Sequence, residues 1–439
     1  MSSLMIDMVR KQKQGQAVGF YSACTANEIV LRSVLQRALA CDQPALIEAT
    51  ANQVDQNGGY TGMKPADFAA YVYNLADEMS FPKERLILGG DHLGPLTRTS
   101  QSEEQAMAYA DELVRQYVLA GFTKIHLDTS MRLADDDQHA RLSDEVIAAR
   151  GARLCKVAED TWQELKKVKP EVEQPVYIIG SEVPIPGGAQ SAEESISVTT
   201  PEDCRTTLTT FEDKFRSLGL DSAWERVIGL VVQPGVEFGD SEVHEYDRKK
   251  AAELTTSLKD WQQGVFEGHS TDYQTPQGLR EMVEDGIAIL KVGPALTFAL
   301  REALFALEAI ERELLTAEDA PGGLSDFRAV LEKQMLANPG NWQKHYHGDS
   351  KQLAFARAYS FSDRARYYLP DPEVDASIRR LFTNMSQNMI PLSILSQYMP
   401  WSYQAHRAGR ISAAPEQLIM EHIGHYIDEY LYAVIPDSK

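Results

Sequence analysis

Along roughly its first three hundred residues the chain alternates between two apolar patterns. Eight short, nearly continuous apolar runs, AVGFYSAC, PALIEAT, RLILGGDH, KIHLDTS, VYIIGSEV, VIGLVVQP, GVFEGHS and IAILKVGP, have the character of strands buried on both faces. Segments with apolar residues every three or four positions follow them, among them ANEIVLRSVLQRALA, ADFAAYVYNLADEM, EEQAMAYADELVRQYVLA and FALREALFALEAIERELL. The first opens with Thr25 and Glu28 at the spacing of a capping box. Strand alternating with helix predicts parallel strands joined by right-handed crossovers. Eight such units predict an α/β fold, a closed (β/α)8 TIM barrel rather than an open doubly wound sheet. After residue 317 the alternation stops: TAEDAPGGLSD is rich in turn residues, and the remainder, ending in PEQLIMEHIGHYIDEYLYAVI, is helical. The expected division is a barrel over residues 1–317 and a helical C-terminal extension over 318–439, packed on the barrel.

In such a barrel, chemistry sits at the C-terminal ends of the strands. Those ends read Glu48 with Asn52, Asp91-His92, His126 with Asp128, Glu182, Gln233 with Glu237, Glu267 with His269, and Lys291. A packed barrel core prefers Val, Ile and Leu, and a charge placed there costs several kcal/mol unless paired or metal-bound. In KIHLDTS the strand period puts Ile125 and Leu127 on one face and His126 and Asp128 on the other. His126 fits a core imidazole as well as a functional one, whereas Asp91, His92, Asp128 and His269 read as functional. Glu182 precedes a glycine-containing turn, which allows close approach to a ligand. His345 and His347 read as a solvated loop. Zinc-type cations take imidazoles plus carboxylates with one position left open. His92 and His269, completed by Glu182 or Asp128, make such a set.

Composition narrows the class. Of 439 residues 43% are hydrophobic and 24% charged, ordinary for a globular protein, and no apolar run approaches the roughly 18 residues of a membrane span. The N-terminus lacks a signal-peptide apolar region, so a cytoplasmic location is expected. Cys24, Cys41, Cys155 and Cys204 form no CxxC pair. A net charge of −21 argues against nucleic acid as a partner. Neither a G-x-x-x-x-G-K-[ST] loop nor a G-x-G-x-x-G turn after the first strand is present, so no ATP and no NAD are expected.

The segments IEATANQVDQNGGYTGMKPADF, LILGGDHLGP, GFTKIHLDTSM, GSEVPIPGG, VVQPGVEF, GHSTDYQT, ILKVGPALTFALREALF and YSFSDRARYYLP resemble the signature segments of the GatZ/KbaZ family. The resemblance spans essentially the whole chain. It implies kinship with class II aldolase barrels and one of three roles: the non-catalytic subunit of D-tagatose-1,6-bisphosphate aldolase, a tagatose-6-phosphate kinase by an older label, or a 4-epimerase interconverting tagatose 6-phosphate and fructose 6-phosphate. Free ketohexoses are further substrates among similar proteins. By that resemblance Asp91 is a proton-transfer acid, His92 and His269 are metal ligands, Asp128 is a later strand-end acid, and Glu182 is the acid before a Gly-Gly turn. Where those aldolases carry another zinc-binding histidine, this chain offers Gln233 and Glu237.

Epimerisation at C4 of a 2-ketose cannot proceed by simple proton abstraction, because that hydrogen is not α to the carbonyl. With no nicotinamide fingerprint, breaking and remaking the C3–C4 bond is the remaining route. It needs an electrophile at the C2 carbonyl and a base for the C4 hydroxyl. The expected roles are a divalent metal, zinc with manganese, cobalt or nickel as alternatives, on His92, His269 and Glu182. Asp91 and Asp128, with Glu182 also in a catalytic role, exchange the proton. Glu48, Asn52, Gln233, Glu267, Ser270, Thr271, Asp272, Lys291 and Thr297 are the substrate-binding candidates, and His126, Glu237, Arg364 and Arg366 stand behind them. The expected partners are a sugar phosphate, a class II aldolase catalytic subunit and further copies of the chain.

Overall fold

The computed structural model describes residues 3–181, 183, 196–320 and 322–436. Among these the strands are β1 (Phe20–Cys24), β2 (Ala45–Thr50), β3 (Leu86–Leu93), β4 (Lys124–Leu127), β5 (Val176–Ile179), β6 (Val227–Val232), β7 (Glu237–Phe238), β8 (Val243–His244), β9 (Val265–Gly268) and β10 (Ile287–Val292). Eight close a parallel barrel in the order β1-β2-β3-β4-β5-β6-β9-β10, while β7 and β8 form a separate antiparallel hairpin. All eight expected runs are barrel strands in the expected order. The fold is a TIM barrel with a helical C-terminal region.

Local signals fix the helices that follow. Asn27, not Thr25, caps Glu28–Ala40: its Oδ1 accepts from the N–H groups of Ile29 and Val30 at 3.1 and 3.3 Å. Thr25 Oγ1 instead accepts from Asn27 N–H, so the capping-box spacing marks the right turn and the wrong residue. Helices Pro65–Glu78, Pro201–Ser217, Pro276–Glu284 and Pro294–Leu314 each begin at a proline, whose missing N–H costs nothing there.

The chain also forms a helix the strand–helix alternation does not announce, Leu4–Lys13, ahead of β1. Its Met5, Met8 and Val9 pack against Phe20, Leu46, Ile87, Val176 and Ile289 from the starts and interiors of the strands. This apolar plug closes the N-terminal mouth, each side chain contributing roughly 1.5–3 kcal/mol by burial. The two-residue period then carries the inward face from apolar to charged: Leu46 to Glu48 on β2, Val265 to Glu267 on β9, Ile289 to Lys291 on β10. The opposite mouth is therefore polar by construction.

Helical segments after residue 320 pack around that mouth and down the barrel side. The last helix, Pro415–Val434, packs on Pro294–Leu314, Glu28–Ala40 and Pro276–Glu284. Nearer the mouth, Phe361 N–H donates to Asp240 O at 2.9 Å and Tyr273 Oη to Phe361 O at 2.6 Å. These bonds hold residues 360–367 beside the β7–β8 hairpin. No helix among the described residues is long and apolar enough to cross a membrane.

One glycine makes the charged interior possible. A Cβ on Gly89 of β3 would stand 2.6 Å from Glu48 Cγ, inside contact distance, and Glu48 is pinned by its ion pairs. Gly89→Ala is expected to lower stability by about 1–3 kcal/mol, the range for overpacking a filled core, read as a shift of the denaturant midpoint. An unchanged midpoint would show that Glu48 has room to move.

Candidate active site

At the polar mouth lies a cavity of about 80 Å³, room for roughly six water centres and hence for one small polar molecule. Asn52, Tyr60, Asp91, His92, His269, Ser270, Asp272, Lys291, Arg366 and Tyr367 are among its lining residues. Asp91 and His92 are neighbours on one strand, so ordinary alternation would turn one of them away. The structure avoids this with a register shift between β3 and β4 at Gly90 to Leu93 and a left-handed backbone at His92, φ 50°. Ser270, φ 53°, does the same after His269. Left-handed non-glycine residues cost roughly 1–3 kcal/mol each and gather where a side chain must be aimed.

Beneath the cavity the charges interlock. Lys124, fully buried, pairs with Glu48 Oε1 at 2.6 Å and Glu267 Oε2 at 2.7 Å. Lys291 Nζ pairs with the other oxygen of Glu48 and, at 2.9 Å, with Asp91 Oδ1. Ser22 Oγ donates to Glu48 as well. Burial opposes the charge on Lys291, but Asp91 and Glu48 outweigh it and hold its pKa well above the usual value. Burial likewise opposes charge on Glu267; Lys124 and His269 overcome it and hold that carboxyl down.

Each of three imidazoles then rests one nitrogen on a carboxylate: His92 Nδ1 on Asp128 Oδ2 at 2.7 Å, His126 Nδ1 on Asp91 Oδ1 at 2.9 Å, and His269 Nε2 on Glu267 Oε1 at 3.0 Å. The His92 backbone N–H also points at His126 Nδ1, at 3.1 Å. One nitrogen cannot donate and accept through the same site, and the nearer, charged Asp91 favours the proton on Nδ1. The Nε2 of His126 is then a lone pair, buried with no partner among the described residues.

These residues fit a divalent cation. The ring centres of His92, His126 and His269 form a near-equilateral triangle with sides of 5.1, 5.1 and 5.2 Å. Of these rings, His126 and His269 offer donor atoms that converge, and His92 does not. One donor atom each from Asp91, His126, Glu267 and His269 also lie within 4.8 Å of one another. Charge agrees. Glu48, Asp91, Asp128 and Glu267 bring four negative charges against two from Lys124 and Lys291, and against the opposing effect of burial Asp91 and Asp128 raise the pKa of His92, which takes up part of the excess. Burial lowers His269 to about 4, keeping it neutral at pH 7. Carboxylates bonded to metal-binding imidazoles are the usual means of fixing ring orientation and tautomer.

The donors that converge differ from the expected set: His126 joins His269 among them, His92 does not, and Glu182, with the turn after it, lies outside the described residues. Asp128 is not on the cavity: its Oδ1 accepts from Ser130 N–H and Oγ–H while Oδ2 holds His92, which makes it a positioning residue. Burial raises its pKa, but His92 and Ser130 bring it down to about 2. Of the substrate candidates, Asn52, Ser270, Asp272, Lys291 and Arg366 line the cavity. Glu48 and Glu267 lie beneath it in ion pairs. Gln233 Oε1 is turned onto Gly235 and Val236 N–H, Thr271 Oγ1 donates to Lys291 O, and Thr297 Oγ1 donates to Asp363. Those three are structural. Arg364 is buried behind Arg366 and bonds His345 Nδ1 at 3.0 Å, so that imidazole is half-buried rather than solvated, while His347 is exposed. Lys124, Tyr60 and Tyr367 are missing from the sequence reading. Lys124 shares the strand face of His126 and Asp128, a signal the alternation already carried; the loop tyrosines had none.

The fold and site define a TIM barrel whose strand ends bring imidazoles and carboxylates to a polar cavity. The chain belongs to the GatZ/KbaZ-like family of D-tagatose-1,6-bisphosphate aldolase subunits, whose model matches residues 5–435. It is similar, at 42% identity and a TM-score of 0.86, to the crystal structure of a probable tagatose 6-phosphate kinase from Sinorhizobium meliloti 1021, covering 95% of this chain and 100% of that one. Two aldolases match far more distantly. The YdjI aldolase from Escherichia coli K12 has 12% identity and a TM-score of 0.39 over 88% of this chain and 99% of its own. The fructose-bisphosphate aldolase of Campylobacter jejuni has 14% identity and a TM-score of 0.40 over 85% and 89%.

Glu237 lies near the mouth on β7, buried, and forms no ion pair among the described residues. Burial raises its pKa from 4.5 to about 7, against weaker lowering by Phe238 N–H and Ser270. A raised folded-state pKa gives stability that is present below about 4.5 and lost as pH rises through 7, because only the unfolded state ionises freely. Glu237→Gln should therefore gain about 1–3 kcal/mol over the parent between pH 4.5 and pH 8, measured by urea unfolding at both pH values. A pH-independent difference would mean Glu237 is solvated.

Proposed function

We propose that this chain is a divalent-metal-dependent 4-epimerase interconverting D-tagatose 6-phosphate and D-fructose 6-phosphate by retro-aldol and aldol chemistry at C3–C4. The observation that carries the reading is the convergence of donor atoms from Asp91, His126, Glu267 and His269 beside a cavity lined by Asp91, His92, His269 and Lys291. His126 and His269, with Asp91 and Glu267 alongside, would hold the cation. When bound, it supplies Lewis acidity to the substrate's carbonyl oxygen.

The chain's own residues account for the remaining steps. Asp91 lines the cavity, with Oδ1 tied to Lys291 and His126 and Oδ2 left 3.7 Å from His92 Nε2 and 4.0 Å from Cys24 Sγ. Oδ2 is the group placed to take the C4 hydroxyl proton. As O4 loses its proton the C3–C4 electron pair passes to C3, giving an enediolate and an aldehyde. Lys291, kept protonated, has three N–H groups and two ion-pair partners, so one N–H remains for the developing oxyanion. The aldehyde turns over, the enediolate attacks its other face, and Asp91 returns the proton to O4. Asp128 takes no proton; it keeps His92 aimed.

A second reading, the helper subunit of an aldolase, draws on the family's own description. It gives no employment to the strained His92 and Ser270 or to the orphaned His126 Nε2. One assay separates the readings. The chain alone, given fructose 6-phosphate, should form tagatose 6-phosphate, lose that activity to a chelator, regain it with zinc, manganese, cobalt or nickel, and lose at least about 100-fold in His126→Ala. No conversion, coupled with recovery of aldolase activity on adding a catalytic subunit, would establish the helper role.

A further inference from the structure

The side of the cavity away from the strand ends carries a positive charge with no ion-pair partner among the described residues, with Asp272 and Asp363 near enough to act on it through space. Arg366 lines it, and Arg364 is buried close by. In a chain of net charge −21, neither forms an ion pair with any described carboxylate. Asp363, between them in sequence, is engaged by Thr297 Oγ1 at 2.7 Å and Arg301 Nε at 3.2 Å, and Asp240 accepts from Ser360. Arg364 contacts only a neutral acceptor at its terminal nitrogen: His345, which burial and the two arginines lower to about 4.

Arg366 is held rigidly and still has capacity to spare. Nη1 donates to the carbonyls of Ser362 and Asp363, and Nη2 to Tyr367 Oη at 3.1 Å. Two of its five N–H groups remain. Tyr367 meets Tyr60, from the loop after β2, edge to face at 4.8 Å, so the barrel and the helical extension join at this point.

A TIM barrel usually binds phosphate after its last strands, at a helix N-terminus. Here that place is filled from within. Asp272 Oδ1 accepts from Gly293 N–H at 3.0 Å and Ala295 N–H at 2.8 Å, at the start of Pro294–Leu314. A phosphate there would face a carboxylate in place of free N–H groups.

We infer that the substrate's phosphate monoester is bound by Arg366 with the hydroxyls of Tyr60 and Tyr367, on the extension side of the cavity, and not at the barrel's helix N-terminus. The inference rests on the epimerase reading for its substrate and gives the phosphate a task in it. After C3–C4 cleavage the phosphate stays on the aldehyde fragment, and an anchored phosphate lets that fragment turn over without leaving. A guanidinium and two hydroxyls from different segments suit the tetrahedral oxygens of phosphate better than a planar carboxylate.

Calorimetric titration of the full chain tests this without requiring turnover. Fructose 6-phosphate should bind at least about 50-fold more tightly than fructose or fructuronate, and Arg366→Gln should remove that preference, as expected for loss of a charge-assisted contact; Arg366→Lys should restore part of it. Tyr60→Phe supplies a milder variant, expected to weaken fructose 6-phosphate several-fold and leave fructose unchanged. Equal binding of phosphate and uronate, or an undiminished preference in folded Arg366→Gln, would overturn the inference. Arg366-dependent binding without conversion would support the subsite while removing the epimerase reading. Conversion with an unaltered phosphate preference in Arg366→Gln would do the reverse.

Discussion

Ionised side chains sealed inside a barrel have no water to turn to, and the structure is organised around that constraint. Glu48, Lys124 and Glu267 are fully buried, and Lys291 and Asp91 nearly so. Desolvating such groups costs several kcal/mol each, recovered only when every partner is in place. The ion pairs therefore fix one another: Lys124 bridges β2 and β9 from β4, and Lys291 bridges β2 and β3 from β10. With positions so determined, Asp91 and Glu267 can hold His126 and His269 in one orientation. A floor of aliphatic residues would be more stable and would orient nothing.

Rigidity below is matched by irregularity above. The broken register at the end of β3 and the left-handed turns at His92 and Ser270 let consecutive residues face one cavity. Those conformations are costly, and the apolar plug of Met5, Met8 and Val9 lies at the other end of the barrel, where packing is regular. The helical extension completes the cavity, because Arg366 and Tyr367 belong to it and Tyr60 to the barrel. Barrel and extension thus contribute different chemistry, imidazoles and carboxylates from one and positive charge from the other.

Much of this was legible in the sequence because buried parallel strands announce themselves as apolar runs. Polar residues at their ends stand out against the rest, hence Asp91, His92, His269 and Lys291. What could not be read depends on how strands are juxtaposed. His126 looked equally like a core residue, since only the barrel's closure brings it within 5.2 Å of His269. Asp128 and Thr297 have residue types suited to a site, but their hydrogen-bonding capacity is taken up by His92, Ser130 and Asp363. Tyr60 and Tyr367 lie on irregular segments far apart in sequence, where no periodicity points inward. Thr25 misled because Asn27, two residues later, caps the same turn better.

The central claim is that His126 and His269, from different strands, share one cation with Asp91 and Glu267. Diffraction data collected on either side of a metal absorption edge, from crystals of the chain grown with zinc, test it most directly. The account predicts one anomalous peak bonded to His126 and His269. No peak there, with both rings hydrogen-bonded only to protein and water, would contradict it.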